Sequence, residues 1–177
     1  LDPQFGASGD MLLGALVGAG AHVDAVRAGL RRLPFGGWEL STDDVTRGGI
    51  SSTRVEVRVD DRHEEHGRRW RDIDAMLTSS DLPDHVRDGA RSTFSRLGEV
   101  EAAAHRVVID EVHFHEVGAV DAIVDIVGAW IALDLLAVGR VVVGPVGLGR
   151  GMVHGAHGLL PLPAPATAAL LAGAPVR

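Results

Sequence analysis

The chain has 177 residues, 46% of them hydrophobic, and a formal charge of −7; that is enough to bury a sizeable core, and the length suggests one domain or one with an appended lobe. It contains no cysteine, and all 17 of its Lys and Arg positions are arginine, which excludes disulfides, thiolate nucleophiles and thiolate metal sites, and equally a Schiff-base lysine or a Walker-type phosphate loop. The negative charge argues against nucleic acid as the main partner. Tyrosine and asparagine are absent and Gln4 is the sole side-chain amide, so imidazole, carboxylate and hydroxyl groups are the main reactive repertoire.

In chain order, residues 9 to 19 read as an apolar helix opened by Ser8-Gly9-Asp10, and residues 23 to 33 as a second helix ended by Pro34, with Leu16, Leu30 and Leu33 facing the core. Strict alternation in Arg54-Val55-Glu56-Val57-Arg58-Val59 predicts a strand, with valines on one side and charges on the other. Residues 38 to 47 are its expected antiparallel partner across a Gly48-Gly49 turn. The region near 38 to 80 reads as a possible small lobe within a single domain spanning 1 to 177. Residues 61 to 69 form a charged loop carrying His63 and His66. A long helix is expected over about 84 to 105, with Val86, Ala90, Phe94, Leu97, Val100 and Ala104 as one buried stripe. A central helix over about 119 to 137 is apolar nearly all round, and Val141-Val142-Val143 reads as a short buried strand after it. Pro161, Pro163 and Pro165 predict an extended arm before a last helix at about 166 to 172. Together these elements predict an α/β or α+β fold, a layered mixed sheet with packed helices.

The longest strongly apolar run, residues 126 to 133, falls far short of the roughly 20 residues a membrane helix requires, so no membrane partner is expected. The chain opens at Leu1 without a methionine or a basic-then-apolar leader. The expectation is therefore no export signal, a cytoplasmic location, and a trimmed N-terminus short of a first strand.

Three constellations carry potential chemistry. The first is Asp2-Pro3-Gln4-Phe5-Gly6-Ala7-Ser8-Gly9-Asp10-Met11, a Gly-rich turn into a helix whose free amides suit an anion, against the plainer reading of Ser8 or Asp10 as a helix cap; Asp2, at an expected strand end, could instead face a cation or hydroxyl. The second runs from His113 to Asp125. Extended backbone over 113 to 115 puts His113 and His115 on one face, with Glu116 next to them; helical backbone from about Gly118 stacks Asp121 and Asp125 one turn apart. Those two aspartates are the only charged groups between Ala119 and Leu133, and a buried carboxylate must be paired, hydrogen-bonded or bound to a cation. The bland alternative is core histidines and carboxylates paired with arginine or backbone amides. The third is Gly147 to Gly158, where Arg150 suits a phosphate or carboxylate and His157 a ligand or general base, or which is simply a Gly-rich connection.

Taken together, Asp2-Pro3, Gly6 and Ser8-Gly9-Asp10-Met11, then Glu111-Val112-His113-Phe114-His115-Glu116-Val117-Gly118-Ala119-Val120-Asp121 with Ile123-Val124-Asp125, then Gly147, Gly149, Gly151, His157-Gly158 and Pro163-Ala164-Pro165-Ala166-Thr167, resemble the nickel-insertion proteins that complete the nickel-pincer cofactor of lactate racemase. The resemblance covers essentially the whole chain. It implies insertion of Ni²⁺ between the two sulfurs of a pyridinium bisthiocarboxylate mononucleotide, with a nickel–carbon bond to the ring. It also implies use of CTP with Mg²⁺ or Mn²⁺ through a C-terminal domain that this chain lacks, so that it reads as the N-terminal portion. Gln4 and Phe5 depart from the family pattern, and His63 and His66 stand where many members carry a histidine tract.

On that reading His113, His115 and Glu116 are the candidate metal ligands. Asp121, Asp125 and His157 are the candidate catalytic groups, a base being needed to take the ring proton. Gly6, Ser8, Gly9, Asp10 and Arg150 are candidates for holding the mononucleotide. The partners implied are the pyridinium substrate and the CTP-binding portion, with homo-oligomer formation left open. The competing readings are a metal-dependent hydrolase and a non-catalytic nickel carrier or scaffold half.

Overall fold

A computed structural model describes residues 1–60, 68–114, 117–155 and 158–177. Helix α1 (Gly9–Gly18) buries Leu13 and Leu16, and α2 (Val23–Leu30) buries Val26 and Leu30; these are the three- and four-residue spacings that line one helix face. Leu33 is buried just beyond α2.

Strands β1 (Trp38–Arg47) and β2 (Ile50–Val59) form a ten-residue antiparallel hairpin, in register from Trp38 opposite Val59 to Arg47 opposite Ile50. Its turn residues Gly48 and Gly49 both have positive φ, 57° and 80°, as a two-residue turn that follows the strand twist requires. Leu40 and Val55 are buried on the face toward α1. The approach there is close: a Cβ added at Gly14 would stand 2.8 Å from the Thr53 carbonyl oxygen, and one at Gly18 3.2 Å from Thr53 Oγ1.

Two-residue strands β3 (Arg68–Arg69) and β4 (His113–Phe114) pair antiparallel, with Arg69 opposite His113. Between them lies α3 (Trp70–Thr78), a helix that the sequence reading leaves out; it buries Trp70, Ile73 and Leu77. Helix α4 (Asp84–His105) follows the expected bounds and buries Val86, Ala90, Phe94 and Val100, but its last turn buries Ala102 and exposes Ala104. Helix α5 (Val120–Leu135) is the central element, packed against α1, α2 and α4. Ile123, Val124, Val127 and Ala132 are completely buried. The Trp130 ring covers Gly89 of α4, and its Nε1 donates to Thr93 Oγ1 at 3.1 Å. Phe94 and Phe114 meet at 6.3 Å between ring centroids; truncating such a buried ring to alanine costs about 3–5 kcal/mol.

After α5, residues 142–148 carry no regular secondary structure apart from one bridge at Val146. Leu1 donates its amino group to the Val142 carbonyl at 2.9 Å and accepts from the Gly144 amide at 2.9 Å, and Val146 pairs in parallel with Val176. The expected buried strand at Val141-Val142-Val143 is corrected here: all three side chains are exposed, because no described element lies over them. Residues expected to form only a Gly-rich connection and an extended arm instead include a hairpin, β5 (Met152–Gly155) with β6 (Gly158–Pro161), before the short helix α6 (Pro165–Leu170).

The expected mixed α/β class holds, with six helices among the described residues. Their strands make three separate two-stranded antiparallel ladders in place of one layered sheet. No helix among them is long and apolar enough to cross a membrane.

Candidate functional site

The first turn of α1 and the N-terminal half of α5 meet where Gly9 lies against Asp125. A Cβ at position 9 would stand 2.5 Å from Asp125 Oδ2 and 2.6 Å from its Cβ. Because the glycine leaves that space free, the Asp125 carboxyl sits at the positive end of α1, beside the Asp10 backbone amide. Its Oδ1 is buried and has no hydrogen-bond partner among the described residues. Burial first, and then the neighbouring charges of Asp10 and Asp121, push its pKa from 3.8 up to about 7, while the Asp10 backbone amide pulls the other way. Desolvation penalises the charged form and like charges add to the penalty. At neutral pH this carboxyl therefore sits near its half-protonated point.

Asp10 and Asp121 line one cavity with Asp125. Asp10 is hydrogen-bonded by the Ser8 hydroxyl, and Asp121 Oδ1 accepts from the Ala122 amide at 2.8 Å. The cavity, about 390 Å³, is completed from β2 by Arg54, Val55, Glu56 and Val57. Arg54 is held by Asp43 across the hairpin at 3.0 Å and by Glu56 at 3.5 Å. The strand alternation that marks β2 assigns Arg54 and Glu56 to the solvent side, so the sequence reading passes over both. Only the packing of α1 on β2 brings them to the carboxylates.

Of the residues singled out from sequence, Ser8, Gly9, Asp10, Asp121 and Asp125 thus come together. Gly6 holds a left-handed turn with φ 87°, its amide donating to the Pro3 carbonyl at 3.2 Å, and is not in the cavity wall. Arg150 is exposed and outside that wall, with no hydrogen bond or ion pair to a described residue. His113 is exposed at the edge of β4 and likewise outside it. His115, Glu116 and His157, like His63 and His66, lie outside the described residues. Among the described residues no three His, Asp or Glu groups converge closely enough to hold a metal ion by themselves.

Residues 1–177 match, end to end, the family model described as nickel insertion protein. The chain belongs to the nickel insertion protein family. A "Putative nickel insertion protein" of Syntrophotalea carbinolica is 49% identical over 99% of this chain and 44% of its own length. The pyridinium-3,5-bisthiocarboxylic acid mononucleotide nickel insertion proteins of a Nocardioides species and of Desulfitobacterium hafniense are 47% and 46% identical, each over 99% of this chain and over 44% and 43% of their own lengths. The chain therefore spans less than half the length of these curated relatives. No solved structure matches it.

Proposed function

We propose that this chain is the N-terminal portion of an enzyme that inserts Ni²⁺ into a pyridinium bisthiocarboxylate mononucleotide, and that the cavity between α1, α5 and β2 is where its own residues act. Family membership and the substrate after which the Nocardioides and Desulfitobacterium relatives are named support this reading. The single observation that carries the site is the Asp125 carboxyl, with its unpartnered buried oxygen and a pKa raised to about 7 beside two further carboxylates.

In the reaction the ring C–H bond breaks, a nickel–carbon bond forms with nickel remaining Ni²⁺, and the proton leaves to a base. Asp125 is suited to that base, since a pKa near the working pH combines an adequate ionised fraction with adequate basicity. Asp10 and Asp121 keep the cavity negative, favouring Ni²⁺ over an anion at its mouth. His113, with His115 and Glu116, is proposed to deliver the metal before the softer substrate sulfurs take it. His157 is kept as a second candidate for the base. Gly6 and Arg150, both outside the acidic cavity wall, are proposed to steady the mononucleotide phosphate; the expected part of Ser8, Gly9 and Asp10 in holding it is dropped, since the Asp125 carboxyl fills the space at Gly9.

CTP with Mg²⁺ or Mn²⁺ is assigned in this proposal to the remainder of the family-length polypeptide, the product to the maturation of lactate racemase, and the location to the cytoplasm. The test is nickel insertion by the family-length protein with Asp125→Asn, followed by absorbance of the metallated product. Loss of turnover with retained substrate binding is expected; turnover unchanged across pH 6 to 8, a window about the raised pKa, rules Asp125 out as the base.

A further inference from the structure

The segment 142–148 is flanked by Leu1 to Pro3, through Leu1–Val142, Gly144–Leu1 and Gly147–Pro3 hydrogen bonds, and by residues 175–177, through Val146–Pro175, Arg177–Val146 and Leu148–Arg177. Val146 and Val176 pair in parallel. This is a single backbone bridge beside a few loop hydrogen bonds, not a strand ladder. Val141, Val142 and Val143 on the segment are 46%, 61% and 51% exposed. Leu1, Val176 and, on the neighbouring loop, Phe5 extend the apolar patch, Phe5 being 98% exposed. This concentration of exposed apolar side chains marks an interaction surface.

Two observations select the occupant. The chain matches only 43–44% of the length of its relatives, so more than half of each relative lies outside the match. The patch is also edged by Arg140, beside Val141, and by Arg177, the latter within 3.9 Å of Asp2. In a two-fold pairing the same patch meets itself, and such a pairing brings these arginines toward one another, which disfavours a second copy.

We infer that the exposed apolar segment around Val141, Val142 and Val143 is the seat of the remaining portion of the family-length polypeptide, which covers the valines and meets the arginine edge with acidic groups. This rests on the reading of the chain as an N-terminal portion, but not on nickel chemistry or on Asp125.

Hydroxyl-radical footprinting of this chain and of the intact Nocardioides relative tests it, with the exposed hairpin residue Ile50 and its aligned counterpart as internal references. In the 177-residue chain, positions 141–143 are expected to be modified as fast as Ile50 at every concentration. In the intact relative the aligned positions are expected to react about fivefold or more slowly than the reference, in proportion to the apolar surface covered. Equal rates at the aligned positions and the reference in the intact relative overturn the inference. Protection in the 177-residue chain that disappears on dilution overturns it too, in favour of a second copy. Either result leaves the assignment of Asp125 standing, whereas an unaltered Asp125→Asn enzyme leaves the docking surface standing.

Discussion

Gly9 and Asp125 occupy each other's space: the carboxyl of one fills the volume that any side chain on the other would need, with 2.5 Å between Oδ2 and a hypothetical Cβ. Gly9→Ala is therefore expected to destabilise the fold by about 1–3 kcal/mol, as overpacking does. Removing the opposing side chain in Gly9→Ala/Asp125→Gly should recover part of that loss despite the helix-propensity cost of a second glycine. Urea denaturation of the four members of the cycle measures the coupling. Additive effects would show that the contact is not what the glycine is for.

Asp125 also makes stability depend on pH. Its folded-state pKa of about 7 lies above the ordinary 3.8, so the folded chain holds a proton that the unfolded chain releases between those values. Stability consequently falls as pH rises through that window and levels off above it. Asp125→Asn removes the titration. Its melting temperature should exceed that of the parent by roughly 3 °C or more at alkaline pH, a figure that allows for the partial solvation of the carboxyl, with the advantage vanishing toward the lower end of the window. Scanning calorimetry between the two limits checks the sign. If the carboxylate ligates nickel, Ni²⁺ competes with the same proton, and affinity measured with the metal alone should increase as pH rises through about 7.

Trp130 and Gly89 give a second packing test away from the site. A Cβ at position 89 would lie 2.5 Å from the indole ring, so Gly89→Ala is expected to displace the ring and break the Nε1 to Thr93 Oγ1 bond. A loss of about 1–3 kcal/mol should follow. Thr93→Val leaves the ring in place and removes only the hydroxyl's two hydrogen bonds, from Trp130 Nε1 and to the Gly89 carbonyl, and should cost about 1–2 kcal/mol. Indole fluorescence separates the two, shifting more for the glycine variant.

Val142 should behave as a surface residue. With 61% of its surface exposed, Val142→Asp is expected to change the stability of the 177-residue chain by less than about 0.5 kcal/mol. A buried strand valine replaced by aspartate would instead unfold it, so thermal melting distinguishes the structure from the sequence-based expectation.

The long helix α4 and the β1–β2 hairpin are legible in the sequence because each writes its own period: Val86, Ala90 and Phe94 at four-residue intervals, and Val55, Val57 and Val59 at every second residue. Helix α3 carries a comparable signal in Trp70, Ile73 and Leu77, hidden because the charged run from residue 61 leads into it. Asp125 is legible as a carboxylate in an apolar helix, and its oddity survives in the structure as the buried, unpartnered Oδ1. Arg54 and Glu56 are not legible. Alternation says which side of a strand a residue takes, but not which helix lies across that side. The valines at 141 to 143 fail for the related reason that hydrophobicity calls for cover without saying where the cover comes from.

The contact of α1 with β2 has a mechanical consequence. At Gly14 the helix backbone lies close against the Thr53 carbonyl, with no room for a side chain between them, so side-chain repacking cannot widen or narrow the backbone spacing between Asp10 on the helix and Arg54 and Glu56 on the strand. The aperture of the acidic cavity is set outside the cavity, one turn along the helix, by a residue that bears no functional group. Every variant that thickens that seam, with Gly14→Ala as the smallest step, should move the carboxylate on α1 as a rigid body, leaving the acidic groups intact but wrongly spaced.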